Sequence, residues 1–75
     1  MTVTLYGKPN CVQCSATERA LTNAGIVYDK IDVTQDEVAY DFVVGLGYQQ
    51  APVVYAGQEN HWSGFRPEKI ESLVA

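Results

Sequence analysis

Two cysteines separated by two residues, Cys11 and Cys14, are the only cysteines of the chain, and they lie between an apolar segment and a helical one. Thiols at this spacing can form a disulfide across one helical turn, and the bond can be broken and formed again. A bridge that closes so short a loop removes little conformational entropy from the unfolded chain, so it stabilises a fold poorly. The pair therefore predicts reversible dithiol–disulfide chemistry, and packing has to hold the fold together.

The length of 75 residues predicts a single domain over residues 1–75 with one small core. Hydrophobic residues make up 47% of the chain and charged residues 19%, as in folded globular proteins. The net charge of −4, without a basic cluster, argues against nucleic acid as a partner. The sequence contains neither a signal segment nor a membrane-spanning apolar run. Two cysteines at this spacing fit a reducing compartment, so we expect a soluble, cytoplasmic protein with no membrane partner.

Hydrophobic periodicity predicts the element order β-α-β-α-β-β-α. The predicted strands cover residues 2–6, 26–33, 52–55 and 58–62, the last two joined by a turn at Ala56 and Gly57, and the predicted helices begin at Cys11, after Thr34 and at Pro67. One βαβ unit, a second helix, a hairpin and a terminal helix give an α/β domain whose four-stranded mixed sheet carries helices on both faces. This is the thioredoxin/glutaredoxin fold.

The sequence also predicts how the second helix begins and which side chains of the later elements face the core. Thr34 and Glu37 match a capping box, in which each side chain satisfies a free backbone N–H at the start of a helix. Alternation and helical spacing then assign core-facing side chains in the later elements. These are Val27, Ile31 and Val33 in the second strand, Val38, Phe42, Val43 and Leu46 in the second helix, and Ile70, Leu73 and Val74 in the last helix.

The position of the two thiols predicts different roles for them. Cys11 should lie at the N-terminus of the first helix, where free N–H groups and the helix dipole favour a thiolate and hence a nucleophile. Cys14 lies one turn further in and would resolve the mixed disulfide that Cys11 forms. Two other interpretations are half of a zinc site, for which His61 is the only further soft ligand, and a pair of inert buried thiols. A dithiol between a strand and a helix of a βαβ unit favours the redox interpretation.

Other residues join the candidate site with alternatives that the residues alone leave open. Val12 and Gln13 between the cysteines are uncharged, and Lys8 either stabilises the thiolate, meets an acidic partner or is simply solvated. The Ala51–Pro52 bond is either cis, which would aim the Ala51 backbone at the thiols, or an ordinary trans bond at the start of a strand.

The segment from Trp62 to Pro67 is the other unusual stretch, with two large aromatic side chains around Ser63 and Gly64 and with Arg66 before the last helix. Trp62 and Phe65 either form an exposed apolar patch for a protein partner or help to close the small core. His61 has no evident acid or nucleophile partner in the sequence, so we expect it in a strand or at the surface.

The segments 8–14 (Lys-Pro-Asn-Cys-Val-Gln-Cys), 51–52 (Ala-Pro) and 62–67 (Trp-Ser-Gly-Phe-Arg-Pro) together resemble those of the NrdH-redoxins, small glutaredoxin-like proteins with thioredoxin-like activity. The resemblance runs along nearly the whole chain. It implies a glutaredoxin-type fold, Cys11 as nucleophile, Cys14 as resolving thiol and a cis bond at Pro52. It also implies that the segment from Trp62 to Arg66 organises the sheet edge and last helix beside the active site.

The resemblance further implies partners: thioredoxin reductase, which draws on NADPH, would reduce the chain, and the chain would reduce class Ib ribonucleotide reductase. The protein would be a monomeric electron donor with no bound cofactor rather than a stand-alone metabolic enzyme. Glutathione-using relatives typically carry Gly-Gly and paired Asp before the last helix, where this chain has Ser63 to Arg66. The alternatives are a glutathione-dependent glutaredoxin and a metal- or cluster-binding module that uses the cysteines of two chains.

Overall fold

The computed structural model describes residues 2–74, which form one four-stranded sheet and three helices. The strands are β1 (Val3–Gly7), β2 (Tyr28–Asp32), β3 (Val53–Gly57) and β4 (Asn60–Ser63), and the helices are α1 (Val12–Asn23), α2 (Glu37–Gly45) and α3 (Pro67–Ser72). The sheet order is β2-β1-β3-β4, with β2 parallel to β1 and the other neighbours antiparallel. The predicted element order and the mixed sheet of the thioredoxin/glutaredoxin fold are confirmed.

The main core lies between one face of the sheet and the helices α1 and α3. Its buried side chains come from three strands and both helices, and they are Val3, Leu5, Leu21, Val54, Trp62 and Ile70. Burying an aliphatic side chain of this kind contributes about 1.5–3 kcal/mol, so a small set of residues supplies most of the stability. This packing fixes α1 against the sheet and brings its N-terminus next to the end of β1.

Helix α2 packs on the opposite face of the sheet. The Phe42 ring lies between two sheet tyrosines, with centroid distances of 5.7 Å to Tyr6 and 5.1 Å to Tyr55. Ala39 and Val43 are the buried residues of the helix. The predicted burial of Val43 is confirmed, whereas that of Phe42 is only partly right, because 39% of its surface remains exposed.

The predicted capping box at the start of α2 is wrong. The helix is capped by another residue, and its buried face therefore differs from the predicted one. Asp36 is the N-cap, and its side chain accepts a hydrogen bond from the Ala39 N–H at 3.0 Å. Thr34 instead donates its N–H and hydroxyl to the Asp32 carboxylate. With the helix starting at residue 37, small Ala39 contacts the sheet and Val38 is 80% exposed. Leu46 follows the helix and is half-buried.

The predicted facing of the second strand is also wrong at its start. Val27 is 90% exposed, and Ile26 and Tyr28 pack against the main core instead. The parallel register pairs Tyr28 with Val3, which places both side chains on the α1 face. Ile31 is paired with Tyr6 and lies half-buried on the α2 face. A sheet that is covered on both faces has no single inward side, so alternation alone could not choose.

The last two strands begin slightly later than predicted, whereas the last helix begins at Pro67 as predicted. Strand β3 continues through Gly57, with a register irregularity between Tyr55 and Gly57, and the turn falls at Gln58 and Glu59. In α3, Ile70 is buried and Leu73 packs against the core as predicted. Val74 is 56% exposed, because α3 ends at Ser72 before another turn can bring it inward.

Candidate redox site

Cys11 and Cys14 form a disulfide at the N-terminus of α1, with their Cα atoms 5.2 Å apart. Cys11 is the N-cap residue, and its sulfur accepts a hydrogen bond from the Cys14 N–H at 3.1 Å. Cys11 is half-buried, whereas Cys14 is only 4% exposed. The helix terminus offers the Cys11 sulfur a donor that favours its thiolate form once the disulfide is reduced. The predicted difference in exposure between the two thiols is confirmed.

The chain reaches this position through a short loop after β1. Asn10 adopts a φ of 59°, a left-handed conformation that asparagine tolerates better than most residues, and this turns the chain into α1. Gly7 lies behind the disulfide, where a Cβ would come within 3.5 Å of the Cys14 Sγ. Sequence reasoning missed Gly7, although a glycine at the end of a strand, four residues before a thiol pair, is a signal of close approach.

Thr17 holds the first turn of α1 from inside the protein. Its side chain is completely buried, and its hydroxyl donates to the Gln13 carbonyl oxygen at 2.8 Å. The bond satisfies a buried hydroxyl within its own helix. The sequence pattern did not identify Thr17 as a buried residue.

The bond between Ala51 and Pro52 is cis, so the sequence alternative of a trans bond is excluded. Pro52 is buried, and its carbonyl oxygen accepts a hydrogen bond from the Gly64 N–H at 2.8 Å. Ala51 is half-buried and lines a cavity of about 530 Å³ between α2 and the sheet. The loop that precedes β3 is thereby tied to the segment that follows β4.

Lys8 is exposed and lines both this cavity and a second, shallower one of about 580 Å³ that includes the two cysteines. The first cavity has mostly uncharged walls, among them Tyr6, Tyr40 and Tyr48. Lys8 therefore lies between the two cavities, in the loop that precedes Cys11. This position suits either of its predicted roles, toward a thiolate or toward an acidic partner.

The two aromatic residues of the Trp62–Arg66 segment have different surroundings. Trp62 is 3% exposed and belongs to the main core, whereas 38% of the Phe65 surface is exposed. Ser63 and Gly64 are half-buried between them. Trp62 thus closes the core, as one alternative predicted, whereas Phe65 is partly exposed and its contact with a protein partner stays a prediction.

Arg66 is the N-cap position of α3 but makes no side-chain capping bond. Its guanidinium Nε donates to the Glu68 carboxylate at 2.7 Å, and this hydrogen bond is the main cause that lowers the pKa of Glu68. Because Glu68 is fully exposed, the ion pair orders the start of α3 rather than adding much stability.

Gln13 connects the first turn of α1 to the segment from Trp62 to Arg66. Its Oε1 accepts a hydrogen bond from the Phe65 N–H at 3.1 Å, across 52 positions of sequence. Its neighbour Val12 is 83% exposed. The sequence placed Val12 and Gln13 at the site, and the structure brings them together with Phe65 and Pro52 at one end of the sheet.

His61 lies in β4 on the α2 face, away from the thiol loop. Its Nδ1 is hydrogen-bonded to the Tyr48 hydroxyl at 2.7 Å, and its ring stacks on Tyr55 with a centroid distance of 5.8 Å. The predicted strand position is confirmed. Within residues 2–74, no three His, Cys, Asp or Glu side chains come together as metal ligands, so a metal held by the cysteines would need ligands from elsewhere.

Comparisons with known proteins agree with this geometry. The Glutaredoxin family profile matches residues 3–62. The glutaredoxin-like protein NrdH of Salmonella typhimurium is 42% identical over 73 residues, which cover 97% of this chain and 89% of that protein. The gene 56 protein of Mycobacterium phage L5 is 36% identical over 73 residues, covering 96% of this chain and 71% of that protein. No helix within residues 2–74 has the length and apolarity needed to cross a membrane.

Solved structures give the same assignment. The glutaredoxin-like protein NrdH-redoxin of Escherichia coli superposes with a TM-score of 0.91 at 42% identity, over 97% of this chain and 95% of that one. A glutaredoxin of Archaeoglobus fulgidus superposes with a TM-score of 0.77 at 26% identity, over 96% of this chain and 84% of that one. The chain therefore belongs to the glutaredoxin family and, within it, to the NrdH-redoxins, glutaredoxin-like redox proteins with a redox-active cysteine pair.

Proposed function

We propose that this protein is a dithiol electron carrier that thioredoxin reductase reduces at the expense of NADPH and that in turn reduces class Ib ribonucleotide reductase. The observation that carries the proposal is the disulfide at the start of α1, whose Cys11 sulfur accepts the Cys14 N–H and whose Cys14 is buried. The carrier needs no resident cofactor, since NADPH acts through the reductase. We place it in the reducing cytoplasm, as a monomer.

The exchange transfers two electrons in two steps. In the reduced protein, the Cys11 thiolate attacks one sulfur of the target disulfide, that S–S bond breaks, and the other target sulfur leaves as a thiolate that takes up a proton. Cys14 then gives up its proton, and its thiolate attacks the Cys11 sulfur. The second target sulfur leaves and is protonated, and the Cys11–Cys14 disulfide remains. The reductase dithiol reverses these steps on the carrier.

The unequal exposure of the thiols supports the division of roles. An attacking thiolate must be accessible and stabilised, and Cys11 is the more exposed sulfur with an N–H donor. A resolving thiol needs only to reach the first sulfur, and the Cα separation of 5.2 Å allows this. Because Cys14 is 4% exposed, an external disulfide reaches it less easily than it reaches Cys11.

The surroundings of the thiols support a protein rather than glutathione as the reaction partner. The segment Ser63 to Arg66 lacks the acidic pair typical of glutathione-using relatives, and it presents Phe65 to solvent. The similar Escherichia coli NrdH-redoxin is described as having a thioredoxin-like activity profile.

The test is NADPH consumption by the oxidised protein with two reducing systems, thioredoxin reductase alone and glutathione with glutathione reductase. We expect turnover with thioredoxin reductase and little with glutathione. The Cys14→Ser variant should stop at the mixed disulfide and abolish turnover, since no resolving thiol is left.

Turnover with glutathione only would replace the proposal by a glutathione-dependent glutaredoxin. Turnover with neither system would favour a metal- or cluster-binding module that uses the cysteines of two chains. The metal content and the oligomeric state would then be measured. If thioredoxin reductase supports turnover, the same coupled assay with class Ib ribonucleotide reductase tests the second partner. Deoxyribonucleotide formation that stops when the carrier is omitted is the expected result.

A further inference from the structure

The side chain of Gln13 is engaged within the protein, although it lies between the two reactive cysteines. An N–H group can only donate, so the atom of Gln13 that faces the Phe65 N–H is the amide oxygen. One acceptor position of this oxygen is therefore occupied within the protein. Gln13 is one of the residues expected at the partner-binding site, and this bond adds a role that acts through Phe65.

Two consecutive backbone amides join helix α1 and the cis-proline loop at this point. The Phe65 N–H is bonded to Gln13 in the first turn of α1, and the preceding Gly64 N–H is bonded to the Pro52 carbonyl at 2.8 Å. Gly64 has a φ of +83°, and a Cβ there would lie 3.5 Å from the Gln13 Oε1. The distance is an ordinary van der Waals contact, so it is the left-handed φ that favours glycine here, where the Gly64 and Phe65 amides bond to two different segments.

The surface that this arrangement holds in place includes two exposed apolar side chains. Val12 is 83% exposed and follows Cys11, and Phe65 is 38% exposed and is bonded to Gln13. A protein whose disulfide reaches the Cys11 sulfur must cover this surface. A small disulfide reagent can reach the sulfur without covering it. The two kinds of substrate therefore report separately on docking and on thiol reactivity.

We propose that Gln13 is a positioning residue that fixes Phe65 beside the thiols and thereby orders the apolar surface on which a protein disulfide docks. The inference rests on the disulfide exchange of the proposed function. It does not depend on which reductase or which reductase target the cell provides. The partner it fits is a protein segment with apolar residues next to its disulfide.

The experiment uses the full chain after chemical reduction and removal of the reductant. Second-order rate constants are measured by rapid alkylation quench with insulin as the protein disulfide and hydroxyethyl disulfide as the small one. Gln13→Met keeps the length of the side chain and removes the acceptor. We expect the rate constant with insulin to fall about threefold to tenfold, the usual effect of one lost hydrogen bond, and the rate constant with the small disulfide to change much less.

The matched control is Gln58→Met, the same substitution in the exposed turn between β3 and β4, which should leave both rate constants unchanged. A second comparison uses Phe65→Ala. If Gln13 acts through Phe65, then Gln13→Met has no further effect on the insulin rate in the Phe65→Ala background. Equal losses with both disulfides, or additive losses in the double variant, would overturn the proposal.

The hydrogen bond itself has a direct signature, which is the rate of amide hydrogen exchange at Phe65 in the oxidised protein. Gln13→Met should accelerate this exchange, and Gln13→Glu, whose carboxylate can accept the same bond, should keep it slow. An unchanged Phe65 exchange rate in Gln13→Met would also contradict the inference. None of these readings requires thioredoxin reductase, so failure of the proposed function and failure of this inference are told apart.

Discussion

At the scale of single residues, Gly64 shows how one backbone conformation determines what can stand beside the thiols. Its φ of +83° lies in the left-handed region, which a residue with a Cβ occupies only at a cost. Its N–H holds the Pro52 carbonyl, and the next N–H holds Gln13. A side chain at this position would strain the backbone in the place where both loops are attached.

We therefore expect Gly64→Ala to lower the free energy of unfolding by about 1–2 kcal/mol, the cost of a left-handed L-residue. Gly57→Ala is the matched control, because a Cβ there meets open space and the backbone is not left-handed. Urea unfolding of the oxidised proteins measures both. A loss at Gly57 as large as that at Gly64 would show that the conformation of Gly64 is not the cause.

At the scale of secondary-structure elements, the start of α2 is set by Asp36 and not by the residue that the sequence pattern favours. The Asp36 carboxylate caps the helix through the Ala39 N–H, and Thr34 is occupied with Asp32. A carboxylate at the N-terminus of a helix also interacts favourably with the helix dipole. Glu37 is a second carboxylate in the first turn, but the capping hydrogen bond belongs to Asp36.

Asp36→Ala should therefore lower the free energy of unfolding by about 1 kcal/mol, as removal of an N-cap generally does. Thr34→Ala should change it by less, because Thr34 is exposed and its hydrogen bonds to Asp32 lie outside the helix. Thermal or urea unfolding of the two variants gives the comparison. If Thr34→Ala proved the more destabilising variant, the result would contradict Asp36 as the N-cap and favour the predicted capping box.

The elements differ in how well the sequence predicts them, because some of their features depend on local sequence patterns and others depend on contacts between distant residues. The alternation of β1 and the thiols at the start of α1 are local patterns, and both predictions are confirmed. The exposure of Val27 depends on the parallel register with β1, and the burial of Ala39 depends on which residue caps α2. The Gln13–Phe65 bond joins residues 52 positions apart and leaves no trace in local periodicity.

The features of the candidate site also differ in how far the sequence predicts them. The cysteine pair identifies its own chemistry, and the segment from Trp62 to Pro67 could be singled out by its composition. What each aromatic ring does could not be predicted, since Trp62 and Phe65 are close in sequence but lie in the core and at the surface respectively. That difference arises because β4 directs Trp62 inward before the chain leaves the sheet.

At the scale of the whole molecule, the aromatic side chains on the α2 face link stability to alkaline pH. Burial raises the pKa of Tyr6 above its ordinary value of 10.0, and charge on Tyr55 and Asp36 raises it further. The folded protein therefore keeps the Tyr6 hydroxyl protonated at pH values at which the unfolded chain has lost the proton. The resulting stability is fully present below the unfolded pKa and is lost as the pH rises through the folded pKa.

Replacing Tyr6 with Phe should remove this pH dependence. We expect the difference in free energy of unfolding between the natural protein and Tyr6→Phe to be constant below about pH 9, where tyrosine is protonated in both states. Above pH 10 the difference should shift in favour of the variant. Unfolding is measured on the oxidised proteins, in which the thiols do not titrate. A difference that stays constant up to pH 12 would contradict the assignment.

The two amides at Gly64 and Phe65 have a consequence for how carriers of this kind can diversify. Both attachments use peptide N–H groups, which every residue type except proline supplies. The identity of the side chain at position 65 is therefore free to change while the loops stay attached, and exposed Val12 is equally free. Client preference can drift, or be selected from a library, by substitution at these two solvent-facing positions without rebuilding the redox centre beneath them.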